Sequence, residues 1–580
     1  MQNNLIVNQK AVGELFQANW ANFLIPDYQR PYAWGKDECE TLWDDIFEFA
    51  FPGADRDRFN EDKDQYFLGP IVTFKNEAGQ LEIIDGQQRL TTLMLLLRAF
   101  YDRFADMQHN KAVRTREAIG KCIWKTDAFG EPDMQTLKIN SEVATDNDKE
   151  EFLNILKTGI AGDNLHSRYA MNFRFFQQKI QDFLNHYPDY FSYLPIRILN
   201  NCILLPIEAE SQDTALRIFS TLNDRGLPLS DSDIFKAQFY KFYSGKGKKN
   251  EFIDQWKKLE ELCGQIFQPK KGTPLDEIFT RYMYFVRAKR GNKNTTTEAL
   301  RKFYEQNGYS LLKDEKTFEN LKDLADFWND VANQDRERFS DRVLRRLFVL
   351  NYAPNGMWTY FVSVYYMQHK GVNFLNNDEA FYLFLDRMTA FIWAYSIYRP
   401  GVNSLRTPLY QEMINIVDNN PVEFREFKFN EEELRNLLYA YDFYNQRPVT
   451  KSMLAWWAFN DDGQELMSID APFDIEHIYA KNRATHEQME NQRALELLGN
   501  KSLLEKRINI RASDYKFTDK KKYYQGFYTA QGVMKNGTKV SELVRMAEEC
   551  VDFSEQDIHT RQKNIIDGFI DYLRRNGLLQ

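Results

Sequence analysis

The feature that most constrains this chain is a change of hydrophobic period around one glycine. The runs "YFLGPIVTF" and "LEIIDG" are short and β-rich, and "KNEAGQ" between them is a turn signal, so the two predict a hairpin. From Arg89 the pattern switches. Leu90, Leu93, Met94, Leu97, Phe100, Tyr101 and Phe104 recur at helical spacing, which predicts an amphipathic helix. A strand that turns through Gly86 into a helix commits the first part of the chain to a mixed α/β unit. The neighbouring "FLIPDYQRPYAW" reads as extended, and "DECETLWDDIFEFAF" as a helix through Leu42, Ile46 and Phe49.

Further along, residues 105–195 read as a mainly helical, polar-faced insertion. "NNCILLPIEAE" reads as another buried strand, followed by the helix "DTALRIFSTLND". Residues 231–450 are helical and rich in aromatics. Near 465 the pattern becomes extended again, and "RQKNIIDGFIDYLRRNG" closes the chain as a helix. The expected fold class is therefore α+β and mostly helical, in three parts: 1–230, 231–450 and 451–580. At 580 residues a single core is excluded, and 43% hydrophobic residues suffice for packed domains.

Five scattered cysteines, none in a CxxC pair, argue against a disulfide framework or a zinc ribbon. The start "MQNNLIVNQKAVGELF" shows no secretory signal, and no run of eighteen apolar residues occurs. The expectation is a cytoplasmic protein with no membrane partner. The net charge of −9 speaks against nucleic acid over the whole chain. Locally it does not: between Gly499 and Gln525, eight bases stand against three acids. Lys506, Arg507, Arg511, Lys520, Lys521 and Lys522 are the candidate DNA contacts in this island, and a solvated helix face is the plainer alternative.

Directly before the island lies "FDIEHIYAKN". Strand alternation puts Phe473, Ile475, His477 and Tyr479 on one face and Asp474 and Glu476 on the other. A lone histidine on an apolar strand face is more often a core residue than a catalyst. Here Glu476 is adjacent, Asn500 follows a turn glycine, and Asn509 falls on a predicted helix. That order resembles the His-Me finger (HNH, ββα-metal) nucleases. The resemblance implies that His477 is the general base, that Glu476 and Asn509 hold one Mg²⁺ or Mn²⁺, that Asn500 fixes the histidine-bearing loop, and that Asp474 supports the site. "FDIEHIYAKN…LGNKSLLEKRIN…KKKYY" is similar to the nuclease half of GmrSD-type restriction proteins.

"LEIIDGQQRLTTL" presents helix N–H groups and the positive end of the helix dipole, which suits an anion. Asp85 is placed to hold a metal or activate water, Arg89 to fork onto a phosphate, and Gln87 and Gln88 to orient water or base edges. "IPDYQRPYAW" sets Gln29 and Arg30 beside Tyr32 and Trp34. "FSTLNDRGLPLSDSDIFKA" carries Asn223, Arg225, Asp233 and Lys236. A structural corner explains "DG" alone. The three stretches in order resemble the N-terminal domain of the GmrSD-type proteins, which implies a ParB/sulfiredoxin-like core whose DGQQR motif hydrolyses nucleoside triphosphates. No Walker motif occurs.

Both ends together resemble fused, modification-dependent (type IV) restriction enzymes and the related phosphorothioate-sensing antiphage nuclease. What that implies is an NTP-regulated, metal-dependent bacterial endonuclease acting on DNA, modified phage DNA above all, and compatible with a homodimer. Two rival readings are an RNA-cutting abortive-infection effector and a nucleotide-gated sensor whose nuclease fold only grips DNA.

Overall fold

A computed structural model describes residues 6–580 apart from 8, 106, 144–145, 163–165, 213, 216–217, 219–229, 297, 372–377, 402, 462 and 488. The described residues are mostly helical, with one sizeable mixed sheet and three small two-stranded ones among them. The chain forms two compact units, Met1–Lys257 and Lys258–Gln580.

The first unit is organised by the sheet. Its strands are β1 (Ile6–Val7), β2 (Lys10–Ala11), β3 (Phe23–Ile25), β4 (Tyr66–Lys75) and β5 (Leu81–Asp85). They are joined by β8 (Ile139–Ser141) and β9 (Cys202–Ala209), in the order β1-β9-β4-β5-β3-β8, with β2 also on β9. The expected hairpin is β4 against β5, antiparallel, with Thr73 opposite Ile83. The expected strand near 200 is β9, which runs parallel to β4.

Residues 105–195 are mainly helical, as expected, and also hold short strands that the sequence does not announce. They contain a hairpin of β6 (Trp124–Thr126) and β7 (Pro132–Leu137), and β8 adds a parallel edge to the main sheet beside β3. A three-residue strand such as "INS" is too short to show a period of two. The helix predicted over "DTALRIFSTLND", together with Asn223 and Arg225, falls mostly or wholly outside the described residues.

Gly86 makes the corner after β5 possible. Its φ of +92° lies in the left-handed region that a side chain disfavours, and a Cβ there would meet Ile71 and Pro70 at 3.3–3.4 Å. The helix that follows, Gln87–Arg103, is buried on nearly every side, Thr91, Thr92, Leu95 and Leu96 as much as the predicted stripe. Helices Asn110–Ile123 and Arg168–His186 pack against it. Of its two enclosed threonines, Thr92 Oγ1 donates to the Gln88 carbonyl at 2.8 Å, while Thr91 Oγ1 is buried with no hydrogen-bond partner among the described residues.

The second unit is a helical body carrying a small mixed region near its C-terminal end. Aromatic side chains fill the helical part, with Phe327 stacked on Tyr366 at 4.2 Å and Phe391 on Phe424 at 3.7 Å. Buried Arg281 lies between Trp328 and Phe267 with its charge met by Glu277 at 3.0 Å. The mixed region pairs β10 (Phe473–His477) with β11 (Lys501–Glu505), antiparallel, followed by helices Lys506–Ala512 and Phe517–Gln525. A hairpin of β12 (Gly526–Tyr528) and β13 (Met534–Asn536) comes next, then helices Ser541–Glu549 and Glu555–Arg575. Phe348 of the helical body meets Phe459 at 4.7 Å and Phe473, the first residue of β10, at 6.2 Å.

Candidate active site

The β10–β11 register sets Glu476 opposite Ser502 and His477 opposite Lys501. After His477 the chain leaves the strand and is held by Asn500. The Asn500 carbonyl accepts the Ile478 N–H at 2.8 Å, and its Oδ1 accepts the Tyr479 N–H at 2.7 Å. Its amide donates to the carbonyls of Tyr479 and Leu495, both at 3.1 Å. Asn500 itself is clamped from behind. Arg561, bound to Glu542 at 2.8 Å, donates to the carbonyls of Leu498, Gly499 and Lys501, and Gln562 Oε1 accepts the Gly499 N–H. Every side-chain polar atom of this asparagine is thus engaged in fixing the bend beside His477.

Glu476, His477, Asn509, Asp514, Lys481 and Lys520 line one cavity of about 320 Å³. His477 Nε2 is buried and has no hydrogen-bond partner among the described residues. The nearest carboxylate oxygen, from Glu496, is 4.0 Å away. Burial, and then the ammonium groups of Lys501 and Lys481, lower the imidazole pKa to about 3. The ring is therefore neutral at physiological pH and can accept a proton. Glu496 carries its own charge firmly: it takes Nζ donors from Lys481 and Lys501, each at 2.6 Å, and its pKa falls to about 2.

Glu476 is 3% exposed, with Lys520 Nζ at 2.8 Å and the Tyr524 hydroxyl donating at 2.6 Å, both to Oε1. Burial pushes its carboxyl pKa up, against the pull of those two partners. Among the described residues, no group of three or more His, Cys, Asp or Glu could hold a metal. The donor set is smaller but of a kind suited to a hard cation: a buried carboxylate, an asparagine and a histidine line one cavity. These residues fit Mg²⁺ or Mn²⁺.

Simple alternation misplaces part of the set. Glu476 is more buried than His477, since Lys520 and Tyr524 cover it, and Ile475, Glu476 and His477 all line the cavity. Asp474 does not. It stands near Lys451, whose charge it supports.

The basic island also needs correction. Lys520 is 1% exposed, tied to Glu476 and to the His477 carbonyl at 2.7 Å, so its ammonium is not a solvent-facing phosphate contact. Lys521 is half-buried and donates to the Cys550 carbonyl at 2.7 Å. Lys506, Arg507 and Lys522 are exposed, while Arg511 is half-buried and donates to the Asn536 carbonyl. Sequence reasoning missed Tyr524, Lys481 and Glu496 as neighbours of the candidate base. No local pattern marks them, because the fold brings them in from other elements.

In the first unit, Asp85 ends β5 and Arg89 lies one turn into the helix. The Gly86 N–H and the charges of Arg89 and Arg30 pull the Asp85 pKa down, but burial outweighs them and raises it. Burial likewise lowers the Arg89 pKa against Asp85. Arg89 Nη1 also donates to the Pro70 carbonyl at 2.8 Å.

The glutamines make backbone contacts that their pattern does not announce. Gln87 donates to the Arg30 carbonyl at 2.8 Å. Gln88 donates to the Pro31 carbonyl and accepts the Ala33 and Trp34 N–H groups at 2.6 and 3.2 Å. Gln29 donates to the carbonyls of Ile83 and Ile84. The three amides therefore lace segment 29–34 to the strand–helix corner. Lacing carries Arg30 to the Asp85 corner. Asp233 serves locally, closing a capping box with Ser230, and Lys236 is buried.

The GmrSD restriction endonuclease N-terminal domain family matches residues 12–240, and the GmrSD restriction endonuclease C-terminal domain family matches residues 423–567. No curated protein matches the chain in sequence. The first match contains the Asp85–Arg89 corner and the second contains β10, β11, Asn500 and the cavity residue Asn509, so the chain belongs to the GmrSD restriction endonucleases, the enzymes of phage defence that cut DNA.

Proposed function

We propose that the cavity beside β10 is the phosphodiester-cleaving centre, in an HNH-like ββα arrangement with His477 as general base. The observation that carries this reading is that His477, whose buried Nε2 has no hydrogen-bond partner among the described residues, lines one cavity with Glu476 and Asn509. Glu476 and Asn509 would hold Mg²⁺ or Mn²⁺, which when bound supplies charge neutralisation at the scissile phosphate and the leaving oxygen. His477 takes the proton of the attacking water at Nε2, and Asn500 keeps the ring aimed by fixing the backbone after it. The neighbouring ammonium groups depress the imidazole's basicity, and a phosphate anion entering the cavity opposes that effect. The base therefore strengthens as substrate is seated.

In this reading the Asp85, Gly86, Arg89 and Arg30 corner binds and hydrolyses a nucleoside triphosphate on a ParB/sulfiredoxin-like core, and that reaction regulates cleavage. The substrate is modified phage DNA. The test is cleavage of modified and unmodified phage DNA, with Mg²⁺, Mn²⁺ or chelator, and with and without each NTP. Cleavage that needs the cation and discriminates modified DNA supports the reading. Cleavage of RNA instead of DNA would establish the abortive-infection alternative, and binding of DNA without cleavage under any condition the sensor alternative.

A further inference from the structure

The helix Asp341–Leu350 carries Arg342, Arg345 and Arg346 at a spacing that gathers them on one face. Its other face, Leu344, Leu347 and Phe348, is buried. Arg575, at the end of helix Glu555–Arg575, joins them, and the four guanidinium groups line one cavity of about 350 Å³. Tyr382 and Tyr572 complete the wall, with Arg342 over Tyr382 at 5.0 Å and Arg346 over Tyr572 at 5.5 Å.

Two observations separate this cluster from an ordinary ion-pair network. Asp386, the single carboxylate of the lining, is saturated: it pairs with Arg346 at 2.8 Å and accepts from Tyr572 Oη and Asn576 Nδ2, both at 3.0 Å. It positions Arg346, while Arg345 donates to the Gln464 carbonyl at 3.2 Å. Second, Arg346 is bonded to Asp386 and to the Tyr382 side chain, yet its Nη1 is buried and has no hydrogen-bond partner among the described residues. A buried charged donor left unmet is costly, so such a group calls for an explanation. Arg342 is neutralised by Asp378 and Glu379 outside the lining.

We propose that this cavity binds the phosphate groups of a small anionic ligand of diphosphate or triphosphate size. Guanidinium forks match phosphate oxygens in geometry and charge, and the unmet Arg346 Nη1 supplies a donor already held in place. The volume suits a small molecule, whereas a DNA duplex is far too wide to enter. The site is separate from the nucleotide corner at Asp85, which belongs to the other unit.

The test is calorimetric titration of the full chain with inorganic pyrophosphate, in wild type and in an Arg89→Gln background that weakens the Asp85 corner. The expected result is binding that persists in Arg89→Gln and falls roughly ten- to a hundredfold in Arg345→Gln/Arg575→Gln, whose changes avoid the buried Arg346. Arg346→Lys, which keeps the charge and removes the fork, is expected to weaken binding too, with circular dichroism checking that it folds. Affinity for a short DNA duplex should be unchanged in the double variant. Absence of pyrophosphate binding, an affinity the double variant leaves intact, or a loss confined to the duplex would overturn the proposal.

Discussion

At the scale of single residues, the decisive property of His477 is that it stays neutral. Its pKa of about 3 in the folded protein lies below the ordinary histidine value near 6.5, because burial and nearby ammonium groups penalise the charged ring. The unfolded chain therefore binds the proton more readily. This contribution to stability is complete above about pH 6.5 and is lost as pH falls from there toward about 3. Replacing the ring by a group that does not titrate, His477→Gln, should shrink the loss of stability between pH 7 and pH 4.5, as read by urea unfolding. An equal loss in both proteins would show that His477 is not held neutral. The same substitution removes the proposed base, so DNA cleavage at pH 7 should fall by roughly 10²–10⁴ while the fold persists. Activity within tenfold of wild type would take His477 out of the mechanism.

At the scale of elements, the bend between His477 and β11 depends on how closely helix Glu555–Arg575 can approach. A Cβ on Gly499 would lie 2.0 Å from the Ile558 carbonyl oxygen and 2.8 Å from the Gln562 nitrogen, both backbone atoms that cannot step aside. Gly499→Ala should therefore displace the helix, cost several kcal/mol and disturb Asn500 and His477 together. A melting temperature equal to wild type would refute that packing argument. The exposed basic groups call for a different measurement. Lys506, Arg507 and Lys522 are the solvent-facing candidates for DNA phosphates, so replacing all three by Gln should flatten the salt dependence of DNA binding by about 0.9 unit of slope for each phosphate no longer neutralised. An unchanged slope would make them an ordinary solvated face.

These elements also show where sequence is readable and where it is not. The β4–β5 hairpin and the helix after Gly86 are legible because each is long enough to carry its own period. His477 and Asn500 stand out through their order along the chain. The burial of Lys520 is not legible, since its partner Glu476 sits on a strand distant in sequence, and a run of three lysines reads as solvent-facing whatever lies beneath. The backbone contacts of Gln87 and Gln88 are not legible for a related reason. An amide can serve water or a backbone equally well, and only the path of segment 30–34 decides which.

At the scale of the whole molecule, the question is whether the corner at Asp85 governs the cavity at His477. Two units with separate cores can be joined without consequence, so a fused chain is not by itself a regulated one. Coupling requires that nucleotide bind two states of the protein unequally. Asp85→Asn is the cleaner probe, because it keeps the shape of a half-buried side chain at the end of β5 and removes its charge. Arg89→Ala also removes the hydrogen bond to Pro70 and so perturbs the corner itself. Asp85→Asn should bind nucleotide within a fewfold of wild type yet fail to hydrolyse it. Its DNA cleavage should match wild type without NTP and differ from it when NTP is present. The measurement is cleavage by both proteins across an NTP titration, with hydrolysis followed in the same tubes. If Asp85→Asn stops hydrolysis and still cuts DNA as wild type does at every NTP concentration, the two reactions are independent, and the chain carries two enzymes with no control of one over the other.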